Sequence, residues 1–190
     1  MNTICGHSIE DYMALVERFH GHPAPGLLAG GFMVDLAKKN LPDGEFFDAL
    51  CETKVCLPDA IQILTPCTVG NGWLKIVDTG RFALALFEKY TGEGVRVHLD
   101  AGRLGPYPEY ESWFFRRRPK REQDRDRLMR EIAEAGAGVM GVNRVRVDAG
   151  LVGKNSGGKT EPCPGCGEAY PVETGARCGA CAGLPLYARP

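Results

Sequence analysis

The sequence has no long apolar run: its longest, Phe82 to Phe87, falls far short of the roughly 20 residues a membrane-spanning helix needs. It also has no charge imbalance. Its 23 Lys and Arg face 24 Asp and Glu for a formal net charge of -1, so no global field steers it toward nucleic acid or an anionic membrane. No basic stretch followed by an apolar core stands near Met1, and the expectation is a cytoplasmic protein without a secretory signal or membrane partner. Internal repeats are missing as well, which excludes solenoid and propeller architectures.

What the chain does have is 8 cysteines, 25 glycines and 13 prolines in 190 residues. Thiol buffers in the expected compartment oppose stable disulfides, so these cysteines read as metal-binding or catalytic. The arrangement Cys163-x2-Cys166, then Cys178-x2-Cys181, is a double CxxC at structural-zinc spacing. Each pair forms a chelating knuckle, and Gly165, Gly167, Gly179 and Gly183 permit the tight turns. Four thiolates close a tetrahedron with no place left for water, so the expected role is to hold a fold. The apolar groups nearby, Tyr170, Val172, Leu184, Leu186 and Tyr187, are too few to make a core without metal. Over 151–190 the charges nearly cancel, which does not indicate a strong phosphate-binding surface, and a protein contact or dimer docking is at least as well supported as nucleic acid.

Ser8 with Asp11 three residues on is a capping signal, and Ile9, Tyr12, Met13, Val16 and Phe19 recur at helical spacing. His20-Gly21-His22-Pro23-Ala24-Pro25-Gly26 forms an elbow, after which Pro25 starts a second helix with Leu28, Phe32, Asp35 and Leu36 on one face. A strand is expected over 46–52, and a short helix opens at Leu57-Pro58-Asp59 with Cys56 just before it. Further strands are expected over 73–78, 82–90, 94–100 and 139–147, and helices over 108–115 and 121–135. The class is α+β: a mostly antiparallel sheet packed with helices in a core domain over 1–150, a flexible linker over 151–162, and a treble-clef or ribbon-like four-cysteine zinc module over 163–190.

Gly153 to Thr160 satisfies the P-loop pattern G-x-x-x-x-G-K-[ST]. The residues that follow, Glu161-Pro162-Cys163-Pro164, preclude the helix whose amides such a loop requires, so we read a linker. Between Arg116 and Arg130 eight basic residues meet acids at Glu122, Asp124 and Asp126. The reading is a solvated helix face with i,i+3 or i,i+4 pairs, and nucleic acid is the minority alternative.

His20 and His22 flank one glycine, and Cys51, Cys56 and Cys67 follow within fifty residues. If the fold brings them together, imidazole and thiolate suit zinc, nickel, copper(I) or iron, and fewer than four protein ligands would leave an exchangeable position. The alternative is buried thiols and ordinary turn histidines. Cys5-Gly6-His7 reads as a frayed segment rather than a site.

Phe19-His20-Gly21-His22-x-x-Pro25-Gly26, Cys56-x-x-Asp59-Ala60-Ile61-Gln62, Thr65-Pro66-Cys67-Thr68-x-Gly70-Asn71-Gly72, Lys75 and Gly80-Arg81 together resemble the E-subunit family of formylmethanofuran dehydrogenase over about residues 5–100. The resemblance implies an α+β core, a homodimer, a metal site at His20, His22, Cys56 and Cys67 with zinc or another transition metal, and a frequent zinc tail. Ala24 and Arg81 depart from the usual cysteine and lysine. The resemblance points to a metal-binding accessory protein serving a molybdenum or tungsten enzyme of one-carbon metabolism. The alternatives are a metal-dependent enzyme, with Cys56 or Cys67 as ligand or nucleophile and Asp59 or Lys75 assisting proton transfer, and an interaction module for nucleic acid or a protein.

Overall fold

The structure is a computed structural model that describes residues 3–41, 46–153 and 158–184. It divides into two compact units, Met1–Gly153 and Lys154–Pro190.

In the first unit, α1 (Ile9–His20) starts where the Ser8 hydroxyl accepts the Asp11 amide at 3.0 Å and stops at Gly21, whose φ of 88° only glycine adopts without strain. It buries Tyr12 and Val16. The next helix, α2 (Pro25–Asn40), is buried on nearly every side from Gly26 to Val34, not along the single face expected from its pattern. Its glycines explain why: a Cβ on Gly31 would lie 2.5 Å from the Tyr12 ring, and one on Gly30 2.9 Å from Ala60. With no side chains in the way, α1 and α3 (Leu57–Leu64) close directly onto the α2 backbone.

The sheet runs in the order β2-β1-β3-β4-β5, with β1 (Phe47–Cys51), β2 (Leu74–Ile76), β3 (Ala83–Glu88), β4 (Glu93–Leu99) and β5 (Met140–Arg146). Only β1 and β2 pair in parallel; every other pairing is antiparallel. Ala49, Cys51, Leu84, Leu86, Val95 and Val97 alternate onto the face that shares a core with Leu27, Leu28 and Met33 of α2. The result is the α+β class read from the sequence. Between β4 and α5 (Arg125–Ala135) the chain forms α4 (Pro108–Phe114) and a 3-10 turn at Lys120–Glu122.

Two expectations along this stretch are corrected. The long helix begins at Arg125, not Arg121, because the Asp124 carboxylate caps the Arg127 amide at 3.0 Å. The segment at Cys5 is tied down rather than frayed: Ile4 is fully buried, Ile4 and His7 form a β-bridge, and the Cys5 amide donates to Asp35 Oδ1 at 2.9 Å. Among the described residues no helix is long and apolar enough to cross a membrane.

In the second unit, β6 (Thr160–Pro162) pairs antiparallel with β7 (Ala169–Pro171). The last three residues of the expected linker are therefore strand. Residues 154–157 of the P-loop-like stretch lie outside the described residues, but Thr160 opens a strand, not the helix a phosphate cradle needs. Of the apolar groups expected around the module, Leu186 and Tyr187 also lie outside the described residues, and Tyr170 is buried.

Candidate functional site

Cys163 follows β6 directly, and the turn after it closes when Gly167 N donates to Cys163 O and Cys163 N donates to Glu168 O, both at 2.8 Å. Gly167 takes φ 80°, and a Cβ on Gly165 would fall 2.9 Å from Cys181 Sγ, so the first knuckle needs its glycines. The second knuckle brings Cys178 and Cys181 against the first, and all four sulfurs lie within 4.8 Å of one another. The cysteines are free, and Cys166 Sγ stands 3.8 Å from Cys178 Sγ, far beyond a disulfide bond. That spacing matches the edge, about 3.8 Å, of a tetrahedron with Zn–S bonds of about 2.3 Å.

Amides supply the second layer: Gly165 N and Cys178 N each donate to Cys163 Sγ at 3.4 Å, and Cys181 N donates to Cys178 Sγ at 3.5 Å. Those donors hold the Cys163 thiol down at about 6, while the neighbouring sulfurs push Cys181 up to about 12. Four thiolates this close repel one another unless a cation sits among them. The donor set, spacing and amide support fit zinc, with Cys163, Cys166, Cys178 and Cys181 holding it.

The core candidates divide. His20 ends α1, and its Nδ1 lies 2.6 Å from Oδ2 of Asp59 in the first turn of α3. A carboxylate can only accept, so the Nδ1 proton is fixed and Nε2 is left as the free donor atom. The His22 ring lies 4.8 Å from that of His20. Cys56 is the N-cap residue of α3, with φ 58° and ψ -53°, and the Leu57 amide donates across it to Val55 O at 2.6 Å. This tight three-residue turn is strained for a residue with a Cβ. Its sulfur lies 3.0 Å from where a Cβ on Gly26 would be, a spot that Trp113 also borders at 3.7 Å. Burial raises the Cys56 thiol, Asp59 adds to the rise, and Lys120 opposes it.

Cys67 does not join this group. It follows the far end of α3, and a helix of 8 residues spans about 12 Å. It is fully buried, donates to Phe47 O at 3.4 Å, and is pushed up to about 11 by that burial. Cys51 is likewise a satisfied core thiol, donating to Thr53 O at 3.1 Å. Lys75, expected near a proton-transfer site, instead donates to the carbonyls of Leu151 and Gly153. Among the described residues, the tail sulfurs form the cluster with metal-ligand spacing, and no three of the core candidates do.

Sequence reasoning placed Asp59 as a proton-transfer assistant and missed it as the partner of His20. The signal was its position three residues after Cys56 in the motif. Trp113 carried no such signal, because only the tertiary fold brings α4 to Gly26. The basic run pairs largely outside its own helix: Arg117 holds Glu111 at 2.9 and 3.2 Å and Arg118 holds the buried Glu109, leaving Arg127 with Glu131 at 2.8 Å as its i,i+4 pair.

The family described as "FmdE, Molybdenum formylmethanofuran dehydrogenase operon" matches residues 19–146, and the FmdE treble clef zinc finger matches residues 154–188. The crystal structure of a tungsten formylmethanofuran dehydrogenase FmdE-like protein from Syntrophus aciditrophicus is similar at a TM-score of 0.89 and 49% sequence identity, covering 98% of both chains. A probable S-adenosyl-L-methionine-binding protein of Archaeoglobus fulgidus is 32% identical over 133 residues, 63% of this chain and 36% of that protein. The chain thus spans about a third of that relative's length.

Proposed function

Because this chain belongs to the FmdE family and carries that family's treble clef zinc finger, we propose that it is a metal-binding accessory protein whose tail zinc is structural and whose core holds a second, labile transition metal. The core ligands are His20, His22 and Cys56. Asp59 orients His20 from behind, and Cys67 serves the hydrophobic core instead. The observation that carries this reading is the 2.6 Å contact between Asp59 and His20 Nδ1, the carboxylate–histidine pairing that aims Nε2 at an ion.

Three protein ligands leave a coordination position exchangeable, which suits an ion that is handed on or that meets a substrate. Bound there, the ion would act as a Lewis acid or a redox centre according to its identity. The chain's own residues supply the rest: Asp59 fixes the proton on His20, Gly26 leaves room for the Cys56 sulfur, and Trp113 shields one side. In this reading the protein works in the cytoplasm, as a homodimer, beside the catalytic components of a molybdenum or tungsten enzyme.

A second reading, a metal-dependent enzyme of one-carbon metabolism, is favoured by one feature, the left-handed backbone of Cys56, since strain of this kind gathers at reacting centres. Elemental analysis separates the two proposed metal sites. The wild-type chain should carry two ions, and a His22→Ala, Cys56→Ala double variant should keep the tail zinc and lose the other. Two ions retained in the double variant, or a single ion in the wild type, would remove the core site.

A further inference from the structure

The two elbow histidines are unequally supported. His20 is the last residue of a helix and has Asp59 against its ring. His22 lies beyond Gly21, is exposed, and among the described residues no hydrogen bond reaches its ring nitrogens. A ligand held only by its backbone is as precise as that backbone.

The elbow's freedom is confined to few dihedrals. Pro23 and Pro25 lock their own φ angles and restrict His22 and Ala24, the residues before them. Ala24 takes the extended conformation this requires, φ -121° and ψ 140°. What stays soft is Gly21, at φ 88°, and the ψ rotation of Pro23, which sets the direction of the Pro23 carbonyl. That carbonyl receives a hydrogen bond from Arg125 Nη2 at 2.5 Å, across 102 residues of sequence.

Arg125 is well placed to act as an anchor. It is the first residue of α5, a helix capped by Asp124 and seated in the core through Leu128 and Ile132. Arg117, Arg118, Arg121 and Arg127 of the same basic run face carboxylates. Arg125 is spent on a main-chain oxygen one residue beyond His22.

We propose that Arg125 is a positioning residue for the elbow metal site: its guanidinium fixes the Pro23 carbonyl and so pre-sets the His22 imidazole against His20 and Cys56. The inference rests on the core-site reading above and adds to it the group that makes the second histidine a rigid ligand. Its role resembles that of Asp59 toward His20, exerted through main chain instead of through the ring.

The test titrates cobalt(II) into the full chain after its tail has taken up one equivalent of zinc, which cobalt does not readily displace from thiolates. Cobalt reports both affinity and ligand geometry through its visible absorption bands. Losing an outer partner of a metal ligand typically costs 10–100-fold in affinity, so Arg125→Ala should weaken cobalt binding by roughly tenfold or more and shift the bands, at an unchanged melting temperature of the metal-free protein. Arg125→Lys, which still offers a donor to the carbonyl, should recover most of the loss. Arg121→Ala, whose partner is the exposed Glu122, should change nothing. If alanine lowers the metal-free melting temperature, Arg125→Met keeps the side-chain stem and removes only the donors, and it becomes the deciding variant. Wild-type affinity and band positions in the variant that lacks the donor, or a lysine variant no better than it, overturn the proposal while leaving the core site standing. A wild-type chain that binds no cobalt beyond its tail removes the core site and this role with it.

Discussion

The tail cluster and the elbow cluster are assembled by opposite means. In the tail, each CxxC delivers two sulfurs through one short turn, and the ion itself supplies the reason for two such turns to meet. In the elbow, His20 and Asp59 are 39 residues apart and meet only because α1 and α3 are both packed on α2. The tail needs its metal to fold; the elbow is built by a hydrophobic core that brings its side chains together without one.

That contrast is broken most forcefully by chelation. Structural zinc in small modules contributes on the order of 10 kcal/mol, so stripping it should unfold residues 158–184 while residues 3–41 keep their structure. Hydrogen exchange resolved by residue checks this, and protection lost equally in both regions would erase the distinction. The mirror experiment is Gly31→Ala, whose Cβ would fall 2.5 Å from the Tyr12 ring. Overpacking there should cost about 1–3 kcal/mol and separate α1 from α2, lowering the melting temperature and weakening the elbow with the tail zinc untouched.

Asp59→Asn sharpens the comparison further. It keeps shape but frees the His20 tautomer, and elbow metal affinity should fall roughly 10–100-fold with no change in tail zinc content. Acidity acts on the tail through its thiols. In the metal-free module Cys163, held at about 6, is a thiolate at neutral pH, while Cys181, pushed up to about 12, and Cys166, also raised by its neighbouring sulfurs, are protonated. Zinc must displace those protons, so tail affinity should rise with pH by about tenfold per unit for each proton released, and fall more steeply once acid also protonates Cys163 below about 6. Proton release on zinc addition in weak buffer measures it. The smallest effect belongs to Cys67→Ala: about 1 kcal/mol of lost core packing and an unchanged ion count. Loss of an ion there would return Cys67 to the ligand set.

The same contrast explains how much could be read in advance. The tail ligands were legible because their geometry is encoded in spacing, and the class of the core domain was legible because a period-2 pattern survives in β4, a period-3.6 pattern in α1 and α3, and β3 is a short apolar run bounded by Gly80 and Gly92. Cys67 misled because a motif records that a residue matters, not which end of a helix it faces. Asp59 as the His20 partner, Lys75 as a clamp on the Leu151 and Gly153 carbonyls, and Trp113 beside Gly26 all depend on long-range packing that no local pattern carries. The true start of α5 was hidden because the basic run continues through the break at Gln123 and Asp124.

The backbone at Cys56 has one more consequence. At φ 58° the main chain there would be more comfortable under glycine, yet it carries a sulfur. Conformational ease and the ligand role proposed for Cys56 therefore pull in opposite directions at a single residue. A stabilisation effort guided by conformational ease alone would begin by deleting the one thiol at the elbow.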